Sequence, residues 1–360
     1  MMMLERDSPS PFLDPVAVEA WDAWFRWRED GQLRDISVEA TWERVAGALA
    51  QAESVPSARW LARMIDMQAR WQVVFDERIL AGAGTRNFAW PADPLAVLNA
   101  ASFVRAPFSA GAQFDFDEFR AAADLAVHGL DNALVLHGAG NDVYGDLRVG
   151  MMGIADALAL LGKRYDSPSG RVQAGQIAQA LAEACLGANI RLARDRGHLP
   201  GGTDAAVELL LQRGVQPGLV ESVQRTGLRH QRVTAITSQR RLARFANDVA
   251  DGLDPIDRCD LSWDGASPVG ARTRRTGGYA CIIAKRSSAL SGSMPTVIDG
   301  RRRSSIAAQI ALRGAVQPWI DAPIDYPFRI EHAPDAQSTE RLRQLAAANR
   351  LGDLNLALNA

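Results

Sequence analysis

Arg78-Ile79-Leu80-Ala81-Gly82-Ala83-Gly84-Thr85 is the stretch on which the fold class turns. A short apolar run closing in small residues has the pattern of a β-strand running into a tight turn. Set among segments of helical periodicity, such a strand predicts a helix-rich α/β chain in place of an all-helical one. It also sets a division into a helical N-terminal region, 1–77, and an α/β unit, 78–360.

Upstream, Asp14-Pro15 supplies an N-cap and first-turn pair for a helix carrying Trp21, Trp24, Phe25 and Arg28. A second helix begins after Ser37 with Trp42, Val45, Ala46 and Leu49 on one face. A third follows Pro56 through Trp60, Met64, Met67 and Trp71. Aromatic stripes at this spacing read as core and not as ligand sites. Downstream, helical periodicity covers 115–135, 151–162, 171–196, 204–213, 216–226, 306–320 and 338–350. Residues 262–305, rich in Gly, Ser, Thr and Arg and including Arg272-Thr273-Arg274-Arg275 and Arg301-Arg302-Arg303, read as loops and short strands.

Composition narrows the function. The 360 residues are 47% hydrophobic and 23% charged with a formal net charge of −2, so a folded globular chain is expected, with no general basic field to hold nucleic acid. The start shows no apolar leader, and no apolar run reaches the roughly 18 residues of a membrane span. The expectation is a cytoplasmic protein with neither membrane nor nucleic acid as partner. Three cysteines, Cys185, Cys259 and Cys281, and five scattered histidines offer no CxxC or Cys/His spacing, which argues against structural zinc, any other metal site, or a disulfide framework. Cys185 falls at helical spacing with Ile177, Leu181 and Ala188 and reads as a buried small hydrophobe. The acidic residues Asp115, Asp117, Asp131, Asp156 and Asp254 pair with no nucleophile, and Asp131-Asn132 and Asp156 read as helix caps or as partners for loop backbone.

Four blocks, in order along the chain, carry a likeness to a known family. They are Val38–Ala46 with Arg78–Thr85; Ala101-Ser102-Phe103-Val104 with Phe114–Asp117, Leu130-Asp131-Asn132 and Val149-Gly150-Met151-Met152-Gly153-Ile154-Ala155-Asp156-Ala157-Leu158; Gly227-Leu228-Arg229-His230 through Thr234-Ala235-Ile236 to Gly252-Leu253-Asp254-Pro255-Ile256; and Gln317–Asp321. In these blocks the chain resembles the large subunits of ribonucleotide reductases, most of all the adenosylcobalamin-dependent type. The resemblance implies that 78–360 is a shortened remnant of that family's ten-stranded α/β barrel, with Arg78–Thr85 as its first strand.

The same resemblance shows what is missing. The family's Asn-x-Cys-x-Glu loop carries the radical cysteine and the carboxylate that takes the 3′-hydroxyl proton. Here the interval between Thr85 and Asn99 holds only Arg86–Leu98, with Asn87-Phe88-Ala89-Trp90 where the first redox cysteine would stand. General acid–base work needs its groups within hydrogen-bond reach, so a lost loop removes the step. The Pro-Thr-Gly-Thr-x-Ser phosphate loop reads Ser238-Gln239-Arg240-Arg241-Leu242-Ala243, in which Arg240 stands for the glycine that lets backbone approach an anion. Asp325-Tyr326-Pro327-Phe328 replaces Ser-Lys-Thr, and no tyrosine pair, effector-binding cone or C-terminal cysteine tail is expected.

The expectation is therefore a ribonucleotide reductase-like protein with no catalytic residues and no cofactor, acting as a non-catalytic binding or regulatory paralogue. Ser238, Arg240 and Arg241, beside Arg244, are its candidate phosphate-binding residues, with a nucleotide or protein partner and an oligomer as further expectations. The alternative is an adenosylcobalamin-dependent ribonucleoside-diphosphate reductase, or a fragment that completes one with a second chain.

Overall fold

A computed structural model describes residues 11–53, 57–138, 144–201, 203–256, 278–291, 295, 297–298, 304–330 and 332–358. The N-terminal helices form where their caps dictate. Asp14 accepts a hydrogen bond from the Val16 amide at the head of α1 (Pro15–Trp24), and a small hairpin, β1 (Arg28–Glu29) with β2 (Gln32–Leu33), follows. Ser37 caps α2 (Val38–Leu49) through the Ala40 amide, and Ser57 caps α3 (Ala58–Ala69) through that of Trp60. Trp42, Val45, Ala46 and Leu49 are all buried, as their spacing requires.

The strand expected at 78–85 is overturned. After β3 (Val73–Phe75) the Asp76 carboxylate accepts from the Arg78 amide and starts a helix, α4 (Glu77–Gly82), which buries Ile79 and Leu80. A carboxylate placed as an N-cap fixes the helix, whereas two adjacent apolar residues fit either structure. The strands flank that helix. β4 (Leu95–Asn99) is buried throughout, and a short pair, β5 (Val104–Arg105) with β6 (Gln113–Phe114), leads into the long α5 (Phe116–Gly138).

The 151–162 helix also begins later than expected, because β7 (Arg148–Met152) occupies its first residues and Gly153, with φ +68°, turns the chain into α6 (Ile154–Leu160). Then come α7 (Pro168–Arg196), α8 (Thr203–Arg213), α9 (Pro217–Thr226) and α10 (Arg240–Phe245). Of the 262–305 segment, 262–277 with Arg272–Arg275, and Arg301–Arg303, lie outside the described residues. Residues 279–291, expected as loop or strand, form α11 (Tyr279–Ser291). The chain closes with α12 (Ile306–Val316), β8 (Phe328–Ile330), α13 (Ala336–Ala348) and β9 (Leu356–Leu358), the last strand parallel to β8.

Among the described residues the strands make one three-stranded sheet, β3-β4-β7, and three two-stranded ones, so the α/β, helix-rich character holds but no closed barrel is present. In the main sheet β3 runs antiparallel to β4 (Val73 opposite Leu98), and β4 runs parallel to β7 (Val97 opposite Gly150). Residues 232–235 extend it beyond β7. The Val149 amide donates to the Val233 carbonyl at 2.8 Å, and the Ala235 amide to the Val149 carbonyl at 3.1 Å. Gly150 is required there, since a Cβ would stand 2.6 Å from the Ala235 carbonyl oxygen. Helices α5 and α7 pack along each other beside this sheet, and one apolar core joins residues from Ala20 to Tyr326 across position 77.

Candidate functional site

In an open α/β sheet, chemistry gathers at the carboxyl ends of parallel strands, where loops bring side chains together over the sheet. Here those ends are Asn99, Met152 and the residues after Ile236. The Asn99 side chain accepts from the Ala101 amide, Gly153 lies so close that a Cβ would be 2.6 Å from Asn99 Oδ1, and the Gly153 amide donates to the Ala250 carbonyl.

Above them sit aromatic rings. Trp71, which enters β3 at its Asn99 end, meets Phe245 of α10 edge-on at 4.8 Å and Trp42 at 5.5 Å; Phe245 also meets Phe25 at 5.0 Å. The N-terminal segment is tied across this rim, with the Trp71 indole donating to the Pro11 carbonyl and the Leu13 amide to Asn247 Oδ1. Phe25 and Phe245 are 1% exposed, Trp42 2% and Trp71 8%, so the rim is dry.

The candidate phosphate-binding residues lie at the same end. Where a phosphate loop would place its amides, the chain forms the six-residue α10, preceded by Ser238 and Gln239. The Ser238 hydroxyl donates to Asp251 Oδ2 at 2.5 Å and the Gln239 amide to Asp251 Oδ1 at 2.6 Å. An internal carboxylate thus takes the two donors that an anion would use. Burial raises the Asp251 carboxyl above its ordinary range, against those two hydrogen bonds and the attraction of Arg240. Arg240 is exposed at the head of the helix. Arg241 turns away, reaching Glu77 at 3.0 Å and lying over the Trp24 ring at 5.2 Å. Ser238 and Arg240 are thereby brought to one carboxylate, and Arg241 to another.

The opposite, amino-terminal end of the sheet holds a buried ionic cluster that sequence reasoning missed. Asp131 and Asn132, expected as caps, lie inside α5 and are fully buried. Asp131 Oδ1 accepts from Arg229 Nε at 2.5 Å and faces His230 Nε2 at 2.9 Å, while Oδ2 accepts from Arg196. His230 Nδ1 faces the Gly145 carbonyl at 2.8 Å, so both ring nitrogens lie within hydrogen-bond distance of an oxygen. Arg196 continues to Asn132 Oδ1 at 2.7 Å and to Glu53 Oε1 at 2.7 Å, where His128 and the Asn132 amide converge as well. Asn189 of α7 holds the backbone of Arg229 and His230 in place with three hydrogen bonds.

Burial would raise the Asp131 carboxyl, yet hydrogen bonds and charge from His230 and Arg229 hold it down at about 2. The hydrogen bond from His128 does the same for Glu53, aided by Asn132 and Arg196, to about 2. Every charge here is spent on another. The cluster clamps α5, α7 and the 227–233 segment, and it exposes no nucleophile.

The remaining acidic candidates are structural. Asp156 accepts from the Ala250 and Ala280 amides, as the expectation of a loop-backbone partner has it. Complete burial, opposed by those bonds, raises its carboxyl to about 6. Asp254 pairs with Arg313 and Arg329, and Asp115 accepts from the Glu118 amide in the first turn of α5. Cys185 is 1% exposed on α7, its thiol pushed well above the ordinary value by burial and then by Asp321 and Asp124. Cys281 overturns the expectation of no disulfide: it is buried and disulfide-bonded, while Cys259 lies outside the described residues. Among the described residues no three or more His, Cys, Asp or Glu side chains are grouped to hold a metal ion, and no helix is long and apolar enough to cross a membrane.

Residues 94–256 match the family model of the ribonucleotide reductase barrel domain. Over this span the chain is similar to the barrel domain of ribonucleotide reductase large subunits. The matched span runs from the residue before β4 to the Asp254 loop, so this reductase-like segment contains β4, β7, the 232–235 extension, both ends of the sheet and the whole of α5 to α10. No curated protein matches the chain.

Proposed function

We propose that this ribonucleotide reductase-like chain is a non-catalytic binding or regulatory protein, built on a shortened remnant of the reductase barrel. One observation carries the reading: the carboxyl ends of the parallel strands are closed by Trp42, Trp71, Phe25 and Phe245, and the donors of the former phosphate loop are held by Asp251. A ribonucleotide needs both places. Its sugar must sit where these rings pack, and its phosphate must replace a carboxylate that the fold supplies.

The thiols support the same reading. Ribonucleotide reduction starts from a cysteine beside the sugar, and Cys185 lies on α7, outside the ring-filled rim. Adenosylcobalamin, in the type the sequence most resembles, would supply the radical; the residues at the rim do not fit such a group, because among the described residues Phe25, Trp42, Trp71 and Phe245 pack against one another at the strand ends. What stays exposed at the head of α10 is the positive charge of Arg240 and Arg241. It can draw an anionic partner, a nucleotide or an acidic protein, to the outside of the rim by charge alone, and such attraction weakens with salt.

Purified chain incubated with adenosylcobalamin, a ribonucleoside diphosphate and a dithiol is expected to give no deoxynucleotide, with a working reductase run in parallel. Product above the protein-free control would overturn the proposal. Product seen only after cell extract is added would point to a chain completed by a partner.

A further inference from the structure

Beyond that reading, a cavity of about 530 Å³ opens between α7, α8 and the 228–234 segment, at the amino-terminal side of the sheet and away from the ring-filled rim. Its volume lies within the range of small-molecule sites, roughly 300–1,000 Å³. The walls are largely apolar, formed by Leu186, Leu209, Leu210, Leu228 and Trp319. Leu209 is 47% exposed, a large apolar side chain left at the edge of a hollow.

The charged groups of the lining are Arg213, Arg232 and Asp321. Arg213, at the end of α8, is 16% exposed and gives one N–H to Asp321 Oδ1 at 2.7 Å. Among the described residues that is its one hydrogen bond, so the remainder of its five N–H groups are unspent. Asp321 is engaged on both oxygens, with Oδ1 accepting from Arg213 and Oδ2 accepting from the Val233 amide at 2.9 Å and the Thr234 amide at 3.0 Å. Its charge is answered by backbone and by Arg213. Arg232, also on the lining and 58% exposed, has only a loose approach to Asp146 at 4.0 Å. A cationic ligand would meet two guanidiniums and a carboxylate already engaged by three donors, whereas an anionic head would meet unspent donors.

We propose that this cavity binds a small amphipathic anion, a carboxylate on an aliphatic or aromatic body, with the head on Arg213 and the body against Leu186, Leu209 and Trp319. The site holds a ligand and catalyses nothing. It depends on neither the presence nor the loss of reductase chemistry, so the assay for deoxynucleotide and the test below fail or succeed separately.

Calorimetric titration of the full chain with decanoate, decanol and decylammonium, each below its micelle concentration, separates the head from the body. Decanoate is expected to bind at least about tenfold more tightly than the other two, a ratio equivalent to one charge-assisted hydrogen bond. Arg213→Met should remove that preference and leave decanol unchanged. Ala206→Phe, which adds a ring to the cavity wall from α8 and alters no charge, should abolish binding of all three; it also serves as the test if circular dichroism shows Arg213→Met to be unfolded. Equal affinities for the three probes, a preference for decylammonium, no binding of decanoate at millimolar concentration, or unaltered decanoate binding by a folded Ala206→Phe chain would each overturn the assignment.

Discussion

The two ends of one small sheet have been finished in opposite ways. At the carboxyl ends of β4 and β7, Trp71, Trp42, Phe25 and Phe245 fill the space with rings, and the chain's own Asp251 takes the Ser238 and Gln239 donors. At the amino ends, Asp131, Arg229 and Arg196 stay charged in the interior, with His230 beside them, because each faces a partner at hydrogen-bond distance. The difference teaches where polar groups survive burial. An anion site without a ligand exposes donors that cost free energy, so internal side chains close it; a paired cluster costs little further and is kept.

The largest expected effect breaks the charged end. Asp131→Ala leaves Arg229 and His230 buried without their counter-charge, and removing one partner of such a group costs about 3–5 kcal/mol, readable as a lowered urea midpoint. Replacing Asp131 with Leu, Arg229 with Met and His230 with Phe together should recover much of that loss. A triple variant as unstable as Asp131→Ala would show that the cluster contributes more than mutual compensation.

Next comes the ring-filled end. Phe245→Ala opens a hollow among Trp71, Phe25 and Phe12, and truncating a buried aromatic costs roughly 3 kcal/mol or more. A loss below about 1 kcal/mol would mean that the rim is not a packed core.

Acid should act on the two ends in opposite senses. Asp156, beside the carboxyl ends, has its folded pKa raised to about 6, so the folded state binds the proton first and stability rises as pH falls from about 6 toward 4. Asp131 has its folded pKa lowered to about 2, so its contribution is complete above about 4 and is lost as pH falls from there toward 2. Each swing is on the order of 2 kcal/mol. In Asp156→Asn the rise between pH 6 and 4 should vanish; in Asp131→Asn the fall below pH 4 should be blunted. A wild-type chain whose stability falls steadily from pH 7 would contradict the first half.

The smallest effect is at the surface. Arg241→Ala removes an ion pair with Glu77 whose partners are 57% and 33% exposed, and stability should change by less than about 1 kcal/mol. A larger loss in the urea midpoint would make that arginine part of the rim's packing.

How much of this was legible depended on whether the signal was local. Asp14-Pro15 and Ser37 announced α1 and α2, because a cap acts on amides two or three residues away. Arg78–Thr85 misled, because Ile79 and Leu80 suit a strand as well as a helix and the deciding residue, the Asp76 cap, lies just before the stretch. β7 hid for a related reason: Arg148–Met152 is a short buried run continuous in pattern with the helix after it, and only Gly153 at positive φ marks the break. Of the site, Ser238, Arg240 and Arg241 were read as phosphate-binding candidates from their place in the chain, and nothing near them announced that Asp251 would take the Ser238 and Gln239 donors.

The sequence by itself determined the helix starts, the likeness to the reductase barrel domain over the 94–256 span, and the absence of an Asn-x-Cys-x-Glu motif, since each is written in residues close together along the chain. Only the tertiary structure decided that Asp131 would meet Arg229, 98 positions away, that rings from 25, 42, 71 and 245 would share one rim, and that a cavity would open beside Arg213. Burial and charge pairing are properties of what surrounds a side chain, and its surroundings come from distant segments that the local pattern does not name.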